Sequence, residues 1–172
     1  MGAVYSVALC LEADEVGRLL TSVPGLVVIE ETEAPYRVHL DAPGGPLAGV
    51  VRAYDEGGWT SVTIDIDVEV YERRAAEQGR AALAAWLVEL AVGLVRQPGV
   101  RYALIDEEIE AELGPREIRA THHAAIQVFE PGLAGLDALA AHPRTRRVER
   151  LPGAVVVWLR DDLSPTAPDT GE

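Results

Sequence analysis

Three carboxylates alternate with apolar residues within Thr60–Tyr71, at Asp65, Asp67 and Glu69. On an extended strand these side chains would point to one face, with successive carboxylates about 6–7 Å apart. Paired carboxylates near that spacing act in glycoside hydrolysis, and carboxylate oxygens also bind cations. A solvated strand face, or a row of acids paired with arginines of the next strand, would give the same alternation. The pattern alone therefore leaves these interpretations open.

A second acidic group follows the apolar segment Val100–Ile105. Five carboxylates lie within seven residues, at Asp106, Glu107, Glu108, Glu110 and Glu112. Their mutual repulsion destabilises the chain unless a cation or a basic partner lies against them. The spacing does not match the calcium-loop pattern D-x-[DN]-x-[DN]-G. The group fits a helix N-terminus, a mobile loop or a partner-binding surface.

Histidine and arginine offer two further groups. His122 and His123 are adjacent, and neighbours on a strand face opposite ways, so we expect one buried and one exposed imidazole rather than a shared metal. Four arginines lie within residues 144–150 and form the basic cluster of the sequence. Guanidinium groups suit phosphate or carboxylate, and we predict internal pairing with acids of the first part of the chain.

Motifs of common catalytic and cofactor sites are absent. The sequence contains no G-x-G-x-x-G, G-x-x-x-x-G-K-[ST], G-x-S-x-G, H-E-x-x-H or C-x-x-C pattern. The single cysteine, Cys10, lies in an apolar segment and is predicted to be a small core residue rather than a reactive thiol. The sequence therefore favours a non-enzymatic protein and indicates no cofactor or metal.

The charge of the chain narrows the choice of partners. The formal net charge is −13, and residues 1–117 hold 21 of the 28 acidic residues but nine of the 15 arginines. This charge disfavours nucleic acids and anionic membranes and favours a basic protein. The N-terminal residues lack the basic region of a signal peptide, and the longest apolar helical segment is too short to span a bilayer. We therefore expect a cytoplasmic protein.

The elements that must position these residues are predicted from periodicity. The pattern indicates an α+β fold, with a mostly antiparallel sheet packed on one face by a long central helix and two shorter helices. The long helix is predicted over Glu72–Gln97, and the shorter helices over Glu12–Ser22 and Pro131–Ala141. The clearest strand is predicted over Thr60–Tyr71, with one polar, open face.

The domain organisation is predicted to be simple. Residues 1–160 are expected to form a single domain, and residues 161–172 a disordered polar tail. The order strand, helix, strand, strand recurs over residues 4–41 and 119–160, which suggests two related βαββ units.

Charge and missing motifs together favour a non-catalytic binding protein that engages a basic protein partner. An immunity protein that neutralises a toxin is one concrete version, because an acidic surface can block a site built for nucleic-acid phosphates. The predicted partner-binding residues are Asp65, Asp67, Glu69, Tyr71, Asp106, Glu107, Glu108 and Glu110. The alternative is a small-molecule or metal-binding protein. If that protein is an enzyme, it is expected to be a hydrolase that uses the clustered carboxylates. A homodimer through the polar strand face is a third hypothesis.

Overall fold

The computed structural model describes residues 2–12, 16–30, 35–109, 124–133 and 135–163. These residues form nine strands and four helices. The strands are β1 (Val4–Leu11), β2 (Leu26–Glu30), β3 (Tyr36–Ala42), β4 (Gly45–Asp55), β5 (Thr60–Asp67), β6 (Val100–Glu107), β7 (Ile126–Phe129), β8 (Arg147–Leu151) and β9 (Ala154–Trp158). The helices are α1 (Val16–Ser22), α2 (Val68–Gln78), α3 (Arg80–Val95) and α4 (Leu136–Ala140).

All nine strands belong to one antiparallel sheet, in the order β2-β3-β4-β5-β1-β6-β7-β9-β8. The predicted α+β class with a mostly antiparallel sheet is confirmed. The central strand β1 lies between β5 and β6, and seven of its eight residues are buried. A strand covered on both faces needs apolar or small side chains at successive positions, which explains the continuous apolar run of β1.

The helices are divided between the two faces of the sheet. Helices α1, α2 and α3 cover the first face, where Leu19 and Leu87 pack in one apolar cluster with Leu9 of β1. The short helix α4 lies on the second face, where Leu136 packs in a separate cluster with Cys10. The prediction that all helices share one face is therefore wrong for α4. Alternate residues of the central strands are apolar on both sides, so each face needs its own cover.

The buried position predicted for Cys10 is confirmed, because its side chain is fully buried in the apolar cluster of the second face. Burial, with a smaller contribution from the nearby Glu12 carboxylate, raises the pKa of the Cys10 thiol to about 12. A thiol that stays protonated at neutral pH is a poor nucleophile. Cys10 is therefore a packing residue of the second face.

The long central helix is broken in two. Gly79 has φ 96° and ψ 137°, and the axes of α2 and α3 are bent by 119° at this residue. Residues other than glycine rarely adopt such backbone angles, so the bend depends on Gly79. Among the described residues, no single helix has the length and apolar composition to cross a membrane; the bent α2–α3 pair passes that test only with both helices taken together.

The predicted strand Thr60–Tyr71 ends earlier than expected. Strand β5 stops at Asp67, whose Oδ1 accepts a hydrogen bond of 3.1 Å from the backbone N–H of Val70. This is a helix N-cap, and it satisfies one of the backbone donors that the first turn of α2 leaves unpaired. Glu69 and Tyr71 therefore lie on a helix rather than on the polar face of the strand. Tyr71 is fully buried, with its ring edge-on to Tyr5 at 4.7 Å between centroids.

Both predicted βαββ units show the expected order of elements in the described residues, as β1-α1-β2-β3 and β7-α4-β8-β9. The connection from β1 to β2 crosses three strands, whereas the connection from β7 to β8 crosses one. The predicted relationship between the units stays a prediction.

Several residues named in the sequence analysis lie outside the described residues: Glu110, Glu112, His122, His123 and residues 164–172 of the expected tail. Leu163, at the start of that tail, is buried in the first-face cluster.

Candidate functional site

The two acidic segments of the sequence meet at one end of the sheet. The last residues of β5 and of β6 both lie beside the first residues of β1, since β1 is antiparallel to each. Val4 pairs with Asp67, and Ser6 pairs with Asp65 on one side and Asp106 on the other. We call this region the acidic end, and it comprises Asp65, Asp67, Glu69, Asp106, Glu107 and Glu108.

Asp65 is neutralised within the chain. Its side chain is only 7% exposed, and its two oxygens accept hydrogen bonds from Ser6 Oγ at 2.7 Å and from Arg52 Nη1 at 2.6 Å. Ser61 and Thr63, on the same face of β5, are also buried. The predicted fully open face is therefore wrong for Ser61, Thr63 and Asp65, although Asp67 on the same face is exposed and a cleft reaches Thr63 and Asp65. Arg52 belongs to the adjacent strand β4. For Asp65, the interpretation of the row as acids paired with arginines of the next strand therefore holds.

Asp106 has a similar structural role. Its Oδ1 accepts a hydrogen bond from Arg160 Nη2, and its Oδ2 accepts one of 3.0 Å from the backbone N–H of Ala125. These contacts join the end of β6 to the residues that lead into β7 and that follow β9. Asp106 therefore stabilises the sheet rather than presenting its charge to a partner.

Three carboxylates of the acidic end remain exposed: Asp67, Glu69 and Glu108. Glu108 follows β6 directly, and its backbone N–H donates to the carbonyl of Val4 at 3.0 Å. Its φ of 49° places it in the left-handed region, which residues other than glycine rarely adopt. Glu107 is half-buried, and predicted partner residue Glu110 lies outside the described residues.

A cleft opens on the second face of the sheet, beside the acidic end. Its volume is about 330 Å³, and buried Ser6, Thr63 and Asp65 form its floor together with Arg52. The exposed residues Tyr54 and Glu108 lie at its rim, and Val4 and Ile109 contribute apolar wall. No hydrogen bond joins the Thr63 hydroxyl to another described residue, although Thr63 is only 4% exposed.

Sequence reasoning missed this cleft. Ser6, Arg52 and Thr63 come from three strands, and their convergence depends on the registers of β1, β4 and β5. The one signal within the sequence was the polar side of the alternation in Thr60–Tyr71. That signal marked a polar strand face but could not show which neighbouring side chains lie across it.

A separate polar network lies on the first face, against β1. Tyr5 Oη donates to Glu72 Oε1 at 2.9 Å, and Arg80 donates to both oxygens of Glu72 and to the carbonyl of Leu163. Burial, followed by the hydrogen bond to Glu72, raises the pKa of Tyr5. The hydrogen bond to Glu72 likewise raises the pKa of Arg80. The network ties α2, α3 and the chain after β9 to the sheet.

The arginine cluster pairs internally, as predicted, but with different partners. Arg146 contacts Asp161 at 2.8 Å, and the guanidinium of Arg147 lies 4.1 Å from the ring centroid of Trp158. Arg150 lies 3.8 Å from Asp137. These partners belong to the last third of the chain, so the predicted pairing with acids of the first part is wrong for these residues.

Neither metal geometry nor similarity to known proteins assigns a chemistry to this chain. Among the described residues, no group of three or more histidine, cysteine, aspartate or glutamate side chains could hold a metal ion. No protein-family model, curated protein or solved structure matches the chain. On its geometry, the candidate site consists of the acidic end and the adjoining cleft.

Proposed function

We propose that the protein is a non-catalytic binding protein whose acidic end engages a basic protein partner in the cytoplasm. The observation that carries this proposal is the convergence of two separate acidic segments beside the start of β1. Asp67, Glu69 and Glu108 remain exposed there. A toxin that acts on nucleic acid is a suitable partner, because its basic active site would be attracted and covered by this surface.

The different environments of the carboxylates at the acidic end support binding more than hydrolysis. Asp65 accepts hydrogen bonds from Arg52 and Ser6, so its oxygens already have strong partners. Asp67 caps α2 and is exposed, which separates its environment from that of Asp65. A paired-acid hydrolase needs both carboxylates at one reacting centre. We do not propose a homodimer through the polar face of β5, because three of its side chains, Ser61, Thr63 and Asp65, are buried and offer little surface to a second flat sheet face.

The first test uses the whole chain as bait in a lysate of the source cells. Captured proteins are identified, and the affinity of the purified partner is measured over a range of salt concentrations. The proposal predicts a basic partner whose affinity falls at least tenfold between about 50 and 200 mM salt, because exposed charges are screened at that ionic strength. The proposal fails if no protein partner is found, or if its affinity does not change with salt.

Matched variants locate the binding surface. The acidic-end triple variant carries Asp67→Asn, Glu69→Gln and Glu108→Gln, and asparagine preserves the N-cap of α2. The control triple variant carries Glu56→Gln, Glu89→Gln and Glu149→Gln, three exposed acids elsewhere on the molecule. Both variants lose three negative charges, so a difference between them reports position rather than net charge.

A further inference from the structure

We propose that the cleft beside the acidic end receives one arginine side chain of the basic partner. This inference rests on the proposed function and adds a specific anchor to it. The cleft is continuous with the exposed acids, because Glu108 lies at its rim and Gly2 in its wall is adjacent to Asp67. A side chain that enters the cleft would therefore come from a protein bound at the acidic end.

The charges around the cleft select a cation. Arg52 and Asp65 form an ion pair at the floor, and they largely cancel. Glu108 forms no ion pair with another described residue, and exposed Asp67 lies next to Gly2 in the wall. Among the described residues that line or adjoin the cleft, the balance of charge is therefore negative, which disfavours a phosphate or carboxylate ligand and attracts a positively charged one.

The hydrogen-bonding groups of the floor fit a group with several donors. The Thr63 hydroxyl has no partner among the described residues, although it faces the cleft from a side chain that is only 4% exposed. Ser6 Oγ donates its proton to Asp65, so its lone pairs can still accept. A guanidinium presents five N–H donors in a planar fork, whereas a lysine ammonium presents three around a point.

The walls fit the rest of an arginine side chain. Val4 and Ile109 provide apolar surface for its aliphatic stem, and Tyr54, which is 49% exposed, places an aromatic ring at the rim. A guanidinium near such a ring gains a cation–π attraction. The volume of about 330 Å³ lies at the small end of ligand pockets, as expected for one side chain rather than a cofactor.

The test titrates the protein with N-acetylargininamide and follows its backbone amides by NMR. Saturable shifts are expected at Ser6, Thr63 and Ile109. N-acetylcitrullinamide has the same shape without the charge, and it is expected to bind at least tenfold more weakly. The proposal is overturned if the arginine compound gives no saturable shift at these residues, or if the citrulline compound binds equally well.

Two variants make the assignment specific. Thr63→Val removes the hydroxyl with little change of volume, and Glu108→Gln removes the charge at the rim. Each substitution is expected to lower the affinity for the arginine compound several-fold. Glu149→Gln, the control, is expected to leave that affinity unchanged. Urea unfolding checks that the Thr63→Val variant is folded. Unchanged binding in both cleft variants overturns the proposal.

The same variants separate this inference from the proposed function. If the partner loses affinity in the acidic-end triple variant but not in Thr63→Val, and the arginine compound does not bind, the anchor is wrong and the proposed function stands. If the partner binds the acidic-end triple variant as well as the wild type, the proposed function fails, and the anchor for that partner fails with it.

Discussion

At the scale of single residues, the acidic side chains of this protein fall into two groups. Asp65 and Asp106 accept hydrogen bonds from Arg52 and Arg160, so their charges are used inside the molecule. Asp67, Glu69 and Glu108 remain at the surface. A count of acidic residues in the sequence overstates the charge that a partner would meet at this end of the sheet.

Replacement of Asp65 tests its internal role. Asp65→Asn removes the negative charge that faces Arg52, whose side chain is only 30% exposed, and leaves an amide that cannot accept both hydrogen bonds equally well. We expect the free energy of unfolding to fall by about 2–3 kcal/mol, measured by urea denaturation. Asp67→Asn is the matched control and should change stability by less than about 0.5 kcal/mol, since asparagine caps helices as well as aspartate. Equal stabilities of the two variants would contradict the assignment.

The sequence predicted part of this arrangement. Asp65 and Asp67 do lie on one face of a strand, as the alternation indicated. The partner of Asp65 could not be read from the pattern, because Arg52 is 13 positions away and reaches it only through the register of β4 and β5. Ion pairing across strands depends on register, and register is a property of the assembled sheet.

At the scale of elements, the junctions around α2 decide which residues are exposed. The apolar and polar alternation continues past Asp67, and Val68 and Val70 are good strand formers, so local preference favoured a longer strand. The N-cap at Asp67 and the burial of Tyr71 against Tyr5 favour a helix instead. Periodicity predicts the type of a long element better than its ends, because tertiary packing fixes the ends.

The break between α2 and α3 gives a prediction at this scale. Gly79→Ala places a Cβ on a residue with φ 96° and ψ 137°, and we expect a loss of about 1–3 kcal/mol in unfolding free energy. Gly93→Ala, within α3, is the control, because nothing lies within 4 Å of its added Cβ. It should stabilise the protein by up to about 1 kcal/mol in the same urea titration. A stabilising effect of Gly79→Ala would show that the bend does not need glycine.

At the scale of the whole molecule, the sheet creates a surface that no segment contains alone. The antiparallel order β5-β1-β6 brings the ends of two distant strands to the same place. The fold class followed from periodicity, and the acidic character followed from composition. The meeting of the two acidic segments and the cleft beside them required the strand order, which periodicity does not determine.

The most direct test of the acidic end is the rate at which the partner associates with it. Charges at the rim of an interface act mainly on the association rate constant and on its salt dependence. We predict that the acidic-end triple variant associates at least tenfold more slowly than the wild type at about 50 mM salt, with a flatter salt dependence. The control triple variant should stay within about twofold of the wild type, because exposed charges separated by more than the screening length, about 14 Å at this salt concentration, interact weakly. Equal association rates for the two triple variants would contradict the central claim, since net charge alone would then explain binding.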